Sequence, residues 1–260
     1  VAVRKKDGAF NVLSGNQIGS LLIHYLLSAR KENGTLPKDG LVVKSLVSTR
    51  MADAICARFG VACREVPTGF RFISEIIDDC ERTHAKTFLF GFEESYGFLA
   101  GSFSRDKDAI CAAMLVAEAC VYYRQKGMTL YDVLQEMYRM YGYYKESVKS
   151  YTLAGKEGIE RIRGAMAALR ADSPKEFGGV AVEACEDLLP GTCMYIGADQ
   201  TAHTSIKGID VLRYTLAGDA WLCVRPSGTE PKLKLYIGAH ALDEAGVDAQ
   251  LQALTAAADQ

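Results

Sequence analysis

Most features that would mark a specialised chain are missing from this sequence. The longest apolar runs, such as the one over 110–121, fall far short of the ~20 residues that span a bilayer, and that run is broken by Glu118. Neither sign of charge is in excess. Thirty Lys and Arg face 32 Asp and Glu, a net charge of −2, which argues against a nucleic-acid partner. None of the eight cysteines (Cys56, Cys63, Cys80, Cys111, Cys120, Cys185, Cys193 and Cys223) forms a C-x-x-C pair, so zinc ribbons and thioredoxin-like redox sites are excluded. They read as buried free thiols of a reducing, cytoplasmic compartment. The four histidines, His24, His84, His203 and His240, lie in no metal or triad spacing. No G-x-G-x-x-G follows the first predicted strand of the repeating pattern, and no Walker A spacing occurs anywhere. Internal repeats and low-complexity tracts are also absent. Residue 1 is Val, within a strand-like run, and the chain reads as an internal piece of a longer protein.

What is present is ordinary globular composition. The 260 residues are 49% apolar and 24% charged, enough for one large or two average domains whose cores need no disulfide or metal staples. Ile18, Leu21, Leu22, Tyr25 and Leu26 recur at helical spacing, predicting a helix over 16–29 that Ser14 or Asn16 caps. A buried strand follows over 41–47, with Ser48 and Thr49 as N-cap candidates for a helix over 51–59 and Gly60 at its C-terminus. Strands at 61–66 and 87–90 alternate with a helix over 70–80, and two more helices cover 108–125 and 129–140. This order implies a parallel α/β/α sheet, whose ligands lie beyond the carboxyl ends of the strands. Those ends are Ser48-Thr49, Thr68-Gly69 and Glu93-Glu94-Ser95, all polar. After about 141–145 the pattern changes to strands at 146–153, 180–184, 209–216, 221–224 and 233–237, joined by hairpin signals, with helices over 155–169 and 241–257. That predicts a smaller α+β domain with a mostly antiparallel sheet.

Three segments carry chemistry. In Arg225-Pro226-Ser227-Gly228-Thr229-Glu230-Pro231-Lys232, Arg225 can fork onto a phosphate and Ser227 and Thr229 can donate to its other oxygens. Gly228 permits an anion nest, and Lys232 and Lys234 add charge. The same residues also fit a polar hairpin turn with solvated charges. In Glu93-Glu94-Ser95 the carboxylates can accept from sugar hydroxyls; read as extended chain, Glu93 and Ser95 share one face and Glu94 points away. A glycosidase pair is excluded, because its carboxylates must flank a bond with about 5–9.5 Å between them. A helix cap or a solvated acidic loop is the alternative. Third, in Arg105-Asp106-Lys107-Asp108 an aspartate can cap the next helix, and Asp-x-Asp alone is a poor metal site.

These segments, with G-N-Q-I-G (15–19), V-S-T-R-M (47–51), T-G-F-R-F-I (68–73), G-F-E-E-S-Y-G (91–97), R-D-K-D (105–108), Y-G-Y-Y (141–144) and R-P-S-G-T-E-P-K-L-K (225–234), resemble the C-terminal half of the α-D-phosphohexomutases, the phosphoglucomutase/phosphomannomutase family. E-E-S is common in the phosphoglucomutase branch. The resemblance implies a four-domain parent, with 1–14 the tail of a preceding domain, 15–141 an α/β sugar-recognition domain and 142–260 an α+β phosphate-binding domain. It implies sugar-hydroxyl contacts from Glu93 and Ser95, further substrate contacts from Thr68, Gly69 and Lys107, and a phosphate site of Arg225, Ser227, Gly228, Thr229 and Lys234. The implied activity interconverts hexose 1-phosphate and 6-phosphate through a phosphoserine and a bisphosphorylated intermediate. Mg²⁺ serves the parent, and glucose 1,6-bisphosphate is its activator or intermediate. The family's serine motif, T-A-S-H-N-like, and its metal loop, D-x-D-x-D-R, are both absent. The chain therefore holds neither a catalytic residue nor a metal ligand and is expected to be inactive alone. Its expected partners are a phosphosugar and the N-terminal domains of the same protein, with no nucleic acid and no membrane. A phosphopentomutase on the same scaffold and a non-catalytic phosphosugar-binding module are the rival readings.

Overall fold

A computed structural model describes residues 1–5, 7–197, 201–228 and 230–258. The chain divides into two compact units, Val1–Gly142 and Tyr143–Gln260. The first unit runs β1 (Ala2–Arg4), β2 (Phe10–Val12), α1 (Gly15–Glu32), β3 (Gly40–Ser45), α2 (Met51–Phe59), β4 (Ala62–Val66), α3 (Phe70–Thr83), β5 (Thr87–Glu93), β6 (Gly97–Ala100), α4 (Ala109–Gln125) and α5 (Leu130–Tyr141). The second runs β7 (Tyr143–Thr152), α6 (Gly155–Ala171), β8 (Glu176–Phe177), β9 (Val180–Asp187), β10 (Thr192–Tyr195), β11 (Thr201–His203), β12 (Leu212–Leu216), β13 (Trp221–Pro226), β14 (Lys232–Ala241) and α7 (Glu244–Ala257).

The first unit is a parallel-sheet α/β/α domain. Its main sheet has the order β4-β3-β5-β6, with β3 parallel to both β4 and β5. β3 is buried along its whole length, as a central strand covered on both faces must be. Leu41, Val43, Ile73, Ile77 and Phe88 join one core on the α3 side. The fourth strand departs from the expected pattern. β6 folds back antiparallel on β5 through a tight turn at Glu94–Tyr96, so the presumed loop after β5 is a hairpin. Phe98 and Leu99 are buried in it, and this burial gives the returning segment its reason to pair. β1 and β2 form a separate antiparallel hairpin.

Caps account for most helix starts. Ser14 and Gln17 form a capping box on α1, Thr129 and Asp132 form one on α5, and Asp108 and Asp243 cap α4 and α7. The Asp243 cap moves the start of the last helix from the expected 241 to 244. For α2 the expectation holds only in part. Arg50 is its N-cap residue and makes no side-chain capping bond, while Thr49 is buried and its Oγ1 accepts from the N–H of Met51, the first residue of the helix, at 3.2 Å.

The second unit is built on an antiparallel sheet of eight strands among the described residues, in the order β11-β10-β9-β12-β13-β14-β7, with β8 paired to β9. β7 begins at Tyr143, three residues before the expected start, because its register with β14 continues as far as Tyr143↔Ala241. Leu222, Val224, Leu235 and Ile237 form its core with Met166 of α6 and Leu254 of α7. Alternation therefore turns Arg225 and Lys234 to the face away from that core. Five cysteines are buried, Cys63 and Cys111 are partly so and Cys120 is exposed, which corrects the expectation that all eight are buried; none is in a disulfide. No helix among the described residues is long and apolar enough to cross a membrane.

Candidate functional site

In the first unit the polar strand ends come together. Gly69 closes the turn after β4 with φ +119°, a backbone region that side chains resist, and its N–H donates to Glu93 Oε1 at 2.7 Å. Glu93 is only 8% exposed, and this bond satisfies one of its oxygens. The other borders Gly97. A Cβ added at Gly97 would lie 3.2 Å from Lys107 Cδ, 3.3 Å from Glu93 Oε2 and 3.4 Å from Phe70 Cδ2. Gly97 is thus the point where β4–α3, β5–β6 and the loop before α4 converge, and a larger residue would push them apart. The Lys107 ammonium lies 5.8 Å from the Phe70 ring centre and 3.3 Å from Asp106. Its loop is clamped to α3: Arg105 binds Asp78 and Glu81, and its carbonyl accepts from Ser74. Thr68 is half-buried beside Gly69. Of the expected sugar-side residues, Gly69, Glu93 and Lys107 are in one cluster with Thr68 adjacent.

The shared face expected for Glu93 and Ser95 is not found. Residues 94–96 form a turn, with Tyr96 at φ +67°, so strict alternation ends at Glu93. Glu93 faces Gly69, Ser95 is exposed at the corner, and Glu94 accepts from Ser45 Oγ at 2.9 Å rather than pointing away.

In the second unit the β13–β14 hairpin holds the other group. Arg225 and Lys234 are directly opposite across the antiparallel pair, both half-buried, and neither side chain has a hydrogen-bond or ion-pair partner among the described residues. Like charges in that position cost stability, so the pair favours an anion. Ser227 departs from the expected nest in one respect. Its N–H is used inside the hairpin, donating to the Lys232 carbonyl at 2.8 Å. Its Oγ accepts from the Glu230 N–H at 3.3 Å, which leaves the hydroxyl proton free to donate to a ligand. Lys232 is paired with Glu230 at 2.9 Å. Gly228 is exposed with open space about it, and Thr229 lies outside the described residues. A cleft of about 320 Å³ adjoins the hairpin, lined by Ile159, Ile162 and Arg163 of α6 together with Pro226, Ser227 and Gly228.

The model of the phosphoglucomutase/phosphomannomutase alpha/beta/alpha domain III matches residues 14–141, and the model of that family's C-terminal domain matches residues 157–256. The chain belongs to the phosphoglucomutase/phosphomannomutase family. A phosphoglucomutase from Staphylococcus aureus strain N315 is 33% identical over 254 residues, which are 98% of this chain and 45% of the relative. The chain thus spans less than half the length of that relative. Among solved structures, the exocytosis-sensitive phosphoprotein pp63/parafusin (phosphoglucomutase) from Paramecium superposes with a TM-score of 0.62 at 13% identity, covering 97% of this chain and 42% of that one. The N-acetylphosphoglucosamine mutase of Aspergillus fumigatus, solved with GlcNAc-6P and magnesium, gives 0.53 at 13% identity, covering 99% and 45%. At these identities the likeness is one of fold.

No group of three or more His, Cys, Asp or Glu side chains that could hold a metal ion occurs among the described residues. Asp108 accepts from the Cys111 N–H and Asp106 from the Lys107 N–H, each at 2.8 Å, so the Asp-x-Asp pair is engaged in local caps. His24 is also structural. Its Nδ1 is 2.8 Å from the Tyr123 hydroxyl, and burial, reinforced by the charges of Arg58 and Lys126, lowers its pKa to about 4. Two features escaped sequence reasoning: the Ser45 contact to Glu94, made between residues 49 apart, and the approach of Arg163 to the β13–β14 hairpin. Neither leaves a signal in local spacing.

Proposed function

We propose that this chain is the sugar-phosphate recognition half of a phosphoglucomutase-like enzyme. The parent enzyme interconverts hexose 1-phosphate and hexose 6-phosphate through a phosphoserine and a bisphosphorylated intermediate such as glucose 1,6-bisphosphate. Residues 15–141 read the sugar and residues 142–260 hold the phosphate that is not transferred, while residues 1–14 belong to the end of a preceding domain. The nucleophilic serine and the Mg²⁺ site are assigned to the part of the relatives' length that this chain does not match.

Each group then has a task its chemistry suits. The Arg225 guanidinium forks onto two phosphate oxygens, Lys234 adds a second positive charge, and Ser227 donates its free hydroxyl proton. Gly228 and Thr229 complete the phosphate loop. Glu93 accepts from a sugar hydroxyl through Oε2, the oxygen not taken by Gly69, and Ser95 donates or accepts from the turn corner. Thr68, Gly69 and Lys107 border the same ligand. A bisphosphorylated sugar must turn around between half-reactions, so groups that read hydroxyls and groups that hold either phosphate end both suit the chemistry.

The observation that carries this reading is the Arg225–Lys234 pair, two half-buried cations side by side whose side chains have no ion-pair partner among the described residues. Calorimetric titration of the chain with glucose 1-phosphate and glucose 1,6-bisphosphate tests it. Saturable binding is expected, weakened about 10- to 100-fold in Arg225→Ala, the range for losing a charged hydrogen bond. Binding that the substitution leaves unchanged refutes the phosphate assignment. Tighter binding of ribose phosphates than glucose phosphates would shift the reading to a pentose-phosphate mutase.

A further inference from the structure

The β5–β6 turn is held from beneath by a chain of hydroxyls. Ser45, the last residue of β3, and Ser48 are both fully buried, with their Oγ atoms 2.8 Å apart. Ser45 Oγ also donates to Glu94 Oε2 at 2.9 Å. A hydroxyl has one proton, and that of Ser45 is directed to the carboxylate, so Ser48 must be the donor to Ser45. The relay therefore runs Ser48 to Ser45 to Glu94. The main chain of Glu94 is gripped as well, since a Cβ added at Gly15 of α1 would overlap the Glu94 carbonyl. The first turn of α1 is itself fastened to the end of the β3 loop, where Asn16 Oδ1 accepts from the Thr49 N–H at 3.1 Å. Glu93 and Glu94 are thus both bonded to the body of the unit, and Ser95 is exposed between them and Tyr96.

We propose that Ser45 is a positioning residue for sugar recognition: through Glu94 it holds the turn so that Ser95 meets the sugar, while the Glu94 carboxylate itself is an internal tether. The proposal rests on the reading that this turn contacts the sugar. Removing the Ser45 hydroxyl takes away a charge-assisted hydrogen bond that fixes Glu94, so the turn would loosen.

The test uses the intact 260-residue chain and two probes, glucose 1-phosphate and inorganic phosphate, together with amide hydrogen exchange at Ser95, Tyr96 and Gly97. In Ser45→Ala, exchange at the three amides is expected to rise about tenfold and glucose 1-phosphate to bind about tenfold more weakly, while inorganic phosphate binds as before. Ser45→Thr, which keeps the hydroxyl, restores both. Unchanged exchange or unchanged glucose 1-phosphate affinity overturns the proposal, and so does an equal loss of both ligands, which marks general loosening. If Ser45→Ala does not fold, Glu94→Gln probes the same bond from its other end. There, faster exchange with weaker glucose 1-phosphate binding supports the proposal, and no change in either overturns it. A wild-type chain that binds phosphate but prefers glucose 1-phosphate over it by nothing refutes the sugar reading itself, and the positioning role with it.

Discussion

In the first unit the charged groups at or near the strand ends are satisfied from within the unit. Glu93 takes the Gly69 N–H, Glu94 takes the Ser45 hydroxyl, and the fully buried Lys44 ammonium is 2.6 Å from Asp53, 3.2 Å from Glu65 and 3.2 Å from the Thr49 carbonyl. In the second unit Arg225 and Lys234 face each other with no such partners among the described residues. The difference follows from the two sheets. A parallel strand covered on both faces cannot leave a charge unpaired, whereas an antiparallel hairpin with one face off the core can keep cations in reserve for a ligand. The first unit should therefore depend on its internal network and on pH, and the second on anions.

The largest effect expected from this contrast is at Lys44. Burial alone would lower its pKa, but Glu65 and Asp53 outweigh burial and hold it above the ordinary lysine range. Lys44→Ala removes the cation between two carboxylates and opens a cavity in a fully buried site, and urea denaturation followed in the first unit should show a loss of about 2–5 kcal/mol. Lys44→Met keeps the volume and should cost less, because Asp53 is 44% exposed and Glu65 27% and both can take up water. An equal cost for the two variants would mean that charge, not packing, sets the stability there.

Acid should separate the units next. His24 titrates near 4 in the folded unit against 6.5 in the unfolded chain. Between those values the unfolded state binds a proton that the folded state refuses. Stability from this residue is complete above pH 6.5, falls as the pH drops from 6.5 to 4 and is lost below that, a total of about 3 kcal/mol. Unfolding midpoints measured across this range should slope in the wild type and flatten in His24→Gln.

The smallest effect is in the second unit, with the opposite sign. Lys234→Gln removes the like charge facing Arg225 and should stabilise the phosphate-free chain by roughly 0.2–1 kcal/mol while weakening phosphate binding. Denaturation with and without inorganic phosphate would show both. A variant that is less stable without phosphate would show that Lys234 has a structural partner and that the contrast between the units is overstated.

Much of this was legible beforehand because it depends on local order. Helical spacing at Ile18, Leu21, Leu22 and Tyr25 marked α1, its cap was narrowed to Ser14 or Asn16, of which the structure uses Ser14, and the change of pattern after residue 141 announced an antiparallel second sheet. The site was legible by residue type but not by arrangement. Glu93 was assigned one face with Ser95 by an alternation that holds only for extended chain, and the turn at 94–96 breaks it. Thr49 was legible as a partner for the start of α2, whose first N–H its Oγ1 accepts, but not as the buried link to another helix that its N–H makes with Asn16.

The amino-acid order alone determined which residues are chemically able to bind a phosphosugar, since hydroxyl, guanidinium and carboxylate are properties of a side chain wherever it lies. It also determined the periods of two and 3.6 that make these strands and helices. Only the tertiary structure decided which of those groups are already engaged and which stay free: Ser45 meets Glu94 across 49 residues, Lys44 is enclosed by two carboxylates, and Arg225 is set beside Lys234 by the register of a hairpin. The reason is distance. Hydrogen bonds and ion pairs form only over a few ångströms, and which residues come that close is settled by strand order and packing, neither of which is written in local spacing.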